Sequence, residues 1–225
     1  MRHSQNSSTI FHMLIKVCGL RDPDNLRQVA AIGEIDLVGL IFYAQSSRYV
    51  DSEETAQMVS SLATVKSVGV FVNESPEVVI ETAAKYHLNY LQLHGSESPA
   101  YLAHLQTLLP QEIKLIKAFS IREKVDLLQT SGYENFCEYL LFDTPTTDYG
   151  GSGQSFDWSI LQHYSGSTPF FLSGGIGAES AESLRHFHHP KWAGIDLNSR
   201  FESAPAMKNI PLLTNFVQQF KNNPI

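Results

Sequence analysis

Short apolar runs rich in Val, Ile, Leu and Phe recur along the chain, and between them lie longer stretches in which apolar residues return at helical spacing. The runs fall at residues 14–18, 36–42, 65–72, 88–94, 112–119, 136–142, 168–173 and 192–197, about 22 to 32 residues apart. Asp22-Pro23, Asp51-Ser52-Glu53-Glu54, Ser75-Pro76-Glu77 and Ser98-Pro99 offer helix starts, and Gly33 a helix stop. Strands apolar on both faces with helices between them predict βα units in a parallel sheet. Eight such units predict a single α/β domain, a closed (β/α)8 TIM barrel over residues 14–225. An open doubly wound sheet is the alternative, but Cys18-Gly19-Leu20-Arg21-Asp22 does not supply the G-x-G-x-x-G turn expected after its first strand. Residues 1–13 are polar and aperiodic and read as a loose N-terminal extension.

A barrel of this kind does its chemistry at the C-terminal ends of the strands. Those ends carry Cys18, Arg48, Asn73, His94, Asp143, Ser173-Gly174-Gly175 and Asn198-Ser199. Side chains alternate along a strand, so Lys16 shares a face with Cys18, Leu141 with Asp143, and Asp196 with Asn198. If Cys18 and Asp143 point inward, they face each other across the mouth as an acid and base pair. By the same parity Lys16 and Asp196 point inward from strands that become neighbours on closure, and burying either charge alone is costly. The two are therefore expected to pair.

Composition narrows the function. The chain has 225 residues, 43% of them hydrophobic and 17% charged, enough for one sizeable core. Its 16 Lys and Arg against 23 Asp and Glu give a formal charge of −7, which opposes a nucleic acid partner. No apolar run approaches the roughly 18 residues of a membrane span. Two cysteines, Cys18 and Cys137, make no secreted disulfide framework, so the expected compartment is cytoplasmic. The expected partner is a small molecule bound by a monomer, with a homodimer as the alternative.

The blocks IKVCGLRDPDNL, VGLIFYAQSSRYV, VGVFVNESPEVV, LQLHGSES, LFDTPTTDYGGSGQSFDW and FFLSGGI, in this order, resemble the diagnostic blocks of the phosphoribosylanthranilate isomerase family over nearly all of residues 14–210. That resemblance implies a (β/α)8 barrel without metal or organic cofactor. Its reaction is an Amadori rearrangement in tryptophan biosynthesis, from N-(5-phosphoribosyl)anthranilate to 1-(2-carboxyphenylamino)-1-deoxyribulose 5-phosphate. It also implies Cys18 as general base, Asp143 as general acid and Arg48 as the group that holds the anthranilate carboxylate. The acid requires surroundings that raise a carboxyl from roughly 4 toward neutrality, which an apolar mouth supplies. A thiol near 8.5 is partly ionised at neutral pH, and a nearby cation increases that fraction. Lys16 lies too deep to be assigned as that cation.

His94 reads either as a mouth residue or as a structural histidine, and Phe42 either as a contact to the substrate ring or as core. Gly174, Gly175, Asn198 and Ser199 stand where such barrels bind phosphate. There the chain departs from the family, which has a small pair followed by glycine; this sequence reads Asn198-Ser199-Arg200, and the expectation is a retained site with a modified contact. Cys137 reads as a small buried residue, and His186-Phe187-His188-His189 as structural because no carboxylate or Cys ligand stands nearby. Tyr149-Gly150-Gly151-Ser152-Gly153 reads as a loop able to close over substrate. Rival readings are a pentose-phosphate epimerase, which needs metal-binding histidines and acids at strand ends, indole-glycerol-phosphate synthase, which needs a lysine acid, and a silent ligand-binding barrel.

Overall fold

In the computed structural model, which describes residues 13–143 and 158–221, eight parallel strands close into a barrel in sequence order. They are β1 (Leu14–Val17), β2 (Leu37–Ile41), β3 (Lys66–Phe71), β4 (Tyr90–Leu93), β5 (Lys114–Ser120), β6 (Tyr139–Asp143), β7 (Phe170–Ser173) and β8 (Trp192–Leu197). Each expected run holds one of them. Residues 1–12 and the 149–153 loop lie outside the described residues.

The first four crossovers are the helices α1 (Pro23–Ala30), α2 (Glu53–Ser60), α3 (Pro76–Lys85) and α4 (Pro99–Leu108). Each starts where a short side chain caps it: Asp22 accepts from Asn25 N at 2.8 Å, and Ser52, Ser75 and Ser98 accept from the N–H three residues on. The crossovers after β5 and β6 depart from the helical spacing of their sequence and carry 3-10 turns, Lys124–Thr130 and Trp158–His163. In the first, Asp126 turns back to accept from Arg122 N and Glu123 N, and Thr130 Oγ1 bonds Leu127 O. Such local bonds compete with a regular helix. After β7 a 3-10 turn, Ala178–Ser180, leads into the short α5 (Ala181–Arg185). After β8 come a 3-10 turn (Ser199–Phe201), an unanticipated hairpin of β9 (Glu202–Ala204) and β10 (Met207–Lys208), and α6 (Ile210–Lys221).

The barrel interior follows strand parity. Leu37, Val68, Ile116, Ala118, Leu141 and Phe171 fill it as one apolar cluster, distinct from the larger core between sheet and helices. Nearer the mouth the filling becomes charged. Lys16 and Asp196 stand opposite each other in the β1–β8 register, with Nζ and Oδ1 2.9 Å apart and side chains 0% and 6% exposed. The expected pair is formed. Burial disfavours the Lys16 charge, but Asp196 and Cys18 outweigh it and hold the ammonium above its ordinary value.

Lys16→Met is therefore expected to destabilise the fold by about 3 to 5 kcal/mol, because it strands a buried carboxylate. Lys16→Met/Asp196→Leu should recover much of that loss. Urea denaturation of the three proteins measures both, and a single variant as stable as the parent would show that the pair is dispensable.

Candidate active site at the barrel mouth

The C-terminal ends of the strands surround a cavity of about 290 Å³. Cys18, His94, Asp143, Gly174, Gly175, Asn198 and Ser199 all line it, together with Gln92, Ser173, Asp196 and Arg200. Eight of the ten strand-end residues singled out from sequence thus meet in one place. Arg48 and Asn73 do not line this cavity.

Cys18 directly follows β1 with its side chain buried, 4% exposed, on the same face as Lys16. Gly39 on the neighbouring strand makes the room: a methyl group there would lie 2.7 Å from the Cys18 sulfur. Burial pushes the Cys18 thiol up, while the nearby Lys16 and Lys208 ammoniums act to lower it and Asp196 adds to the rise. Lys16 is deep, as expected, yet it is one of the cations that act on Cys18.

Asp143 ends β6, and its carboxylate is 39% exposed, so the enclosed apolar setting expected for it is not what surrounds it. Its partner is His94, whose Nε2 lies 3.6 Å from Asp143 Oδ2. Gln92, two residues earlier on β4 and pointing the same way, places its Nε2 2.8 Å from His94 Nδ1. With the amide donating, the ring proton sits on Nε2, facing Asp143. His94 is thereby a mouth residue, fixed from below.

Gly174 and Gly175 turn with φ of 92° and 64°, a left-handed pair that other residues rarely adopt, and bring backbone to the cavity edge. Across from them Arg200 folds outward and pairs with Glu179 at 2.6 Å, both half exposed. The cavity beside it stays open.

Arg48 and Asn198 close over Gly19, but the Arg48 guanidinium is taken up by Glu202, with Nη2 2.6 Å from Oε2. Glu202 also accepts from Lys208 Nζ at 2.6 Å, and Lys208 bonds Asn198 Oδ1 at 2.9 Å. Sequence reasoning missed Glu202 and Lys208. They sit on two- and three-residue strands with no readable period, and the one available signal was two charges flanking the Pro205-Ala206 turn.

Phe42 points out of the barrel, packing on Phe71 and Tyr86 with ring centroids 5.3 and 4.7 Å away, so it belongs to the outer core. Cys137 packs against that core, its thiol pushed up to about 12 by burial. His189 bonds Tyr164 O and accepts from Lys191 N ahead of β8, a structural role.

A parallel eight-stranded barrel with a thiol, a carboxylate and an imidazole gathered at its C-terminal mouth defines a (β/α)8 enzyme. The model of the N-(5'phosphoribosyl)anthranilate (PRA) isomerase family matches residues 15–219. N-(5'-phosphoribosyl)anthranilate isomerase of Parabacteroides distasonis is 52% identical over 209 residues, spanning 92% of this chain and 93% of that protein. The crystal structure of phosphoribosyl anthranilate isomerase from Thermotoga maritima superposes with a TM-score of 0.80 at 31% identity, covering 94% of this chain and all of that one. A second isomerase structure, in complex with reduced 1-(o-carboxyphenylamino)-1-deoxyribulose 5-phosphate, superposes with a TM-score of 0.77 at 28% identity, covering 94% of this chain and 100% of that one. The chain belongs to the PRA isomerase family.

Because burial raises the Cys18 thiol and leaves Cys137 near 12, iodoacetamide should label neither at the rate of a free cysteine at pH 7, and labelling of Cys18 should quicken as pH rises. Peptide mass spectrometry after timed labelling, with the urea-unfolded chain as reference, checks this. Free-thiol reactivity of Cys18 at neutral pH would contradict it.

Proposed function

We propose that this mouth performs the Amadori rearrangement of N-(5-phosphoribosyl)anthranilate, the isomerisation step of tryptophan biosynthesis, with Cys18 as base and Asp143 as acid. The observation that carries the reading is the meeting of these two residues in one cavity at the ends of β1 and β6. Asp143 protonates the ribose ring oxygen, the C1–O bond breaks, and the anthranilate nitrogen lone pair forms the C1=N iminium. Cys18 thiolate then takes the C2 proton, and the electrons of that bond form the C1=C2 double bond as the iminium π pair returns to nitrogen. The enolamine tautomerises to the ketone as C1 gains a proton and the C2 hydroxyl loses one. Burial holds the Cys18 thiol up overall, and Lys16 and Lys208 act against that rise, toward the thiolate that the second step needs. His94, held by Gln92, orients the Asp143 carboxyl.

The substrate's phosphate lies against the Gly174-Gly175 turn, Asn198 and Ser199, with Arg200 as an added contact of this chain. Arg200's outward pairing with Glu179 argues against a silent barrel, since the side chain does not block the cavity. Neither rival phosphosugar chemistry finds support: among the described residues no three His, Cys, Asp or Glu side chains group as metal ligands, and the two lysines that act on Cys18, Lys16 and Lys208, are held by Asp196 and Glu202. The product analogue held by a neighbouring structure supports the substrate class. We read the working unit as a monomer, with a homodimer as the alternative. We propose the cytoplasm as the compartment, where two free cysteines remain reduced.

Cys18→Ser and Asp143→Asn should each lower kcat by about 100-fold or more while circular dichroism stays unchanged, since each removes one proton-transfer partner. Fluorescence turnover of freshly prepared phosphoribosylanthranilate is the assay, and near-normal turnover in either variant would sink the assignment. In the same assay Arg200→Ala should raise KM about 5- to 20-fold with kcat held within about twofold, the signature of a lost charged contact shared by ground and transition states. An unchanged KM would leave Arg200 a surface residue.

A further inference from the structure

An arginine fork has two hydrogen-bonding edges, and Glu202 occupies one edge of Arg48. Nε lies 2.9 and 3.1 Å from Oε1 and Oε2, and Nη2 lies 2.6 Å from Oε2, while Nη1 has no hydrogen-bond partner among the described residues. Glu202 is itself fixed: Oε1 accepts from Lys208 Nζ at 2.6 Å and from Ala206 N at 3.3 Å, with the Glu202 side chain 5% and that of Lys208 0% exposed. Lys208 is in turn clamped through its backbone, its N–H donating to Asn25 Oδ1 at 2.8 Å and its carbonyl accepting from Asn25 Nδ2 at 3.0 Å. This is a built frame and not a surface pair. Hydrogen bonds from Arg48 and Lys208 outweigh the burial that would raise the Glu202 carboxyl, and hold it below the usual carboxylate range.

Charge balance gives the frame a direction. One carboxylate faces two cations, so the group carries a surplus positive charge. The member reaching solvent is Arg48, 22% exposed and next to Asn198, which lines the cavity. A surplus charge on the open edge of an anchored fork is a site for a second carboxylate.

We propose that Glu202, held by Lys208, is a positioning residue that fixes the Arg48 fork so that its free edge meets the carboxylate of the substrate's carboxyphenyl group. The proposal rests on Arg48 as the carboxylate-binding residue. The opposite role, Glu202 occupying Arg48 in competition with substrate, has the opposite sign in binding.

The test compares the full-length parent, E202Q, R48A and the double variant R48A/E202Q. It measures kcat, KM and the inhibition constants of N-methylanthranilate, which carries the aromatic carboxylate alone, and of inorganic phosphate. E202Q should raise KM and the N-methylanthranilate constant about tenfold, leave the phosphate constant and kcat within about twofold, and add nothing in the R48A background. A fall in either carboxylate-dependent constant would mean competition and overturn the proposal. So would unchanged constants, an equal loss in phosphate binding, or a full additive effect on R48A. An R48A protein with an unchanged N-methylanthranilate constant sinks the Arg48 reading itself, whereas a normal R48A effect beside a neutral E202Q sinks only the role of Glu202. Should E202Q not fold, E202Q/K208M, which restores the charge balance, is judged by the same pattern.

Discussion

The barrel closes on a buried ion pair. Where β8 meets β1, Lys16 and Asp196 stand in register as a buried pair, each the other's ion-pair partner. Removing either ion from water costs several kcal/mol, so the two strands are stable only in the register that brings them together. A slip of one residue would turn every side chain of a strand to the other face. The pair therefore sets more than local energy: it holds Cys18 and Asn198, two residues further along each strand, at the mouth and facing inward.

From that register the site follows by parity. Each inward residue at the mouth stands two positions beyond an inward residue that supports it, as Gln92 supports His94 and Leu141 fills the space beneath Asp143. The groups proposed for proton transfer thus ride on strand ends, whose positions the sheet hydrogen bonds fix. The groups proposed to hold the substrate's anionic ends ride on the connections: the Gly174-Gly175 turn, the 3-10 turn with Arg200, and the segment carrying Arg48. Rigid strands suit chemistry that fails if an atom is misplaced by an ångström, while loops tolerate a change such as arginine in place of glycine.

This division also explains what could be read from the chain. The eight strands were legible because both faces are buried, so each is a near-continuous apolar run, and the inward pairing of Lys16 with Asp196 needed only the two-residue period and closure. The helix starts were legible because Asp22, Ser52, Ser75 and Ser98 are caps that act locally. The 3-10 turns after β5 and β6 were not, since local bonds such as Asp126 to Arg122 N override the periodic signal. Nor was the frame of Arg48, Glu202 and Lys208, whose partners are 154 and 6 residues apart in sequence and meet only through the hairpin that follows β8. Periodicity carries no information about a contact that a short irregular segment makes across the mouth.

An acidic chain with a formal charge of −7 and a substrate bearing both phosphate and carboxylate pose an electrostatic problem that is solved locally. At physiological salt, charges beyond about 8 Å are largely screened, so the overall balance matters less than the few cations at the mouth. Each of those is already paired, but the pairs differ in what separating them requires. Arg200 and Glu179 are 55% and 61% exposed, and an exposed pair is worth about 0 to 1 kcal/mol, so the proposed exchange of Glu179 for phosphate at Arg200 costs little. Glu202 and Lys208 are buried, and stripping a partner from such a group costs about 3 to 5 kcal/mol, more than a single carboxylate contact returns. In the proposed site Arg48 then serves the substrate without leaving Glu202. An arginine is suited to this and a lysine is not, because only the guanidinium has a second edge to offer while the first stays bound.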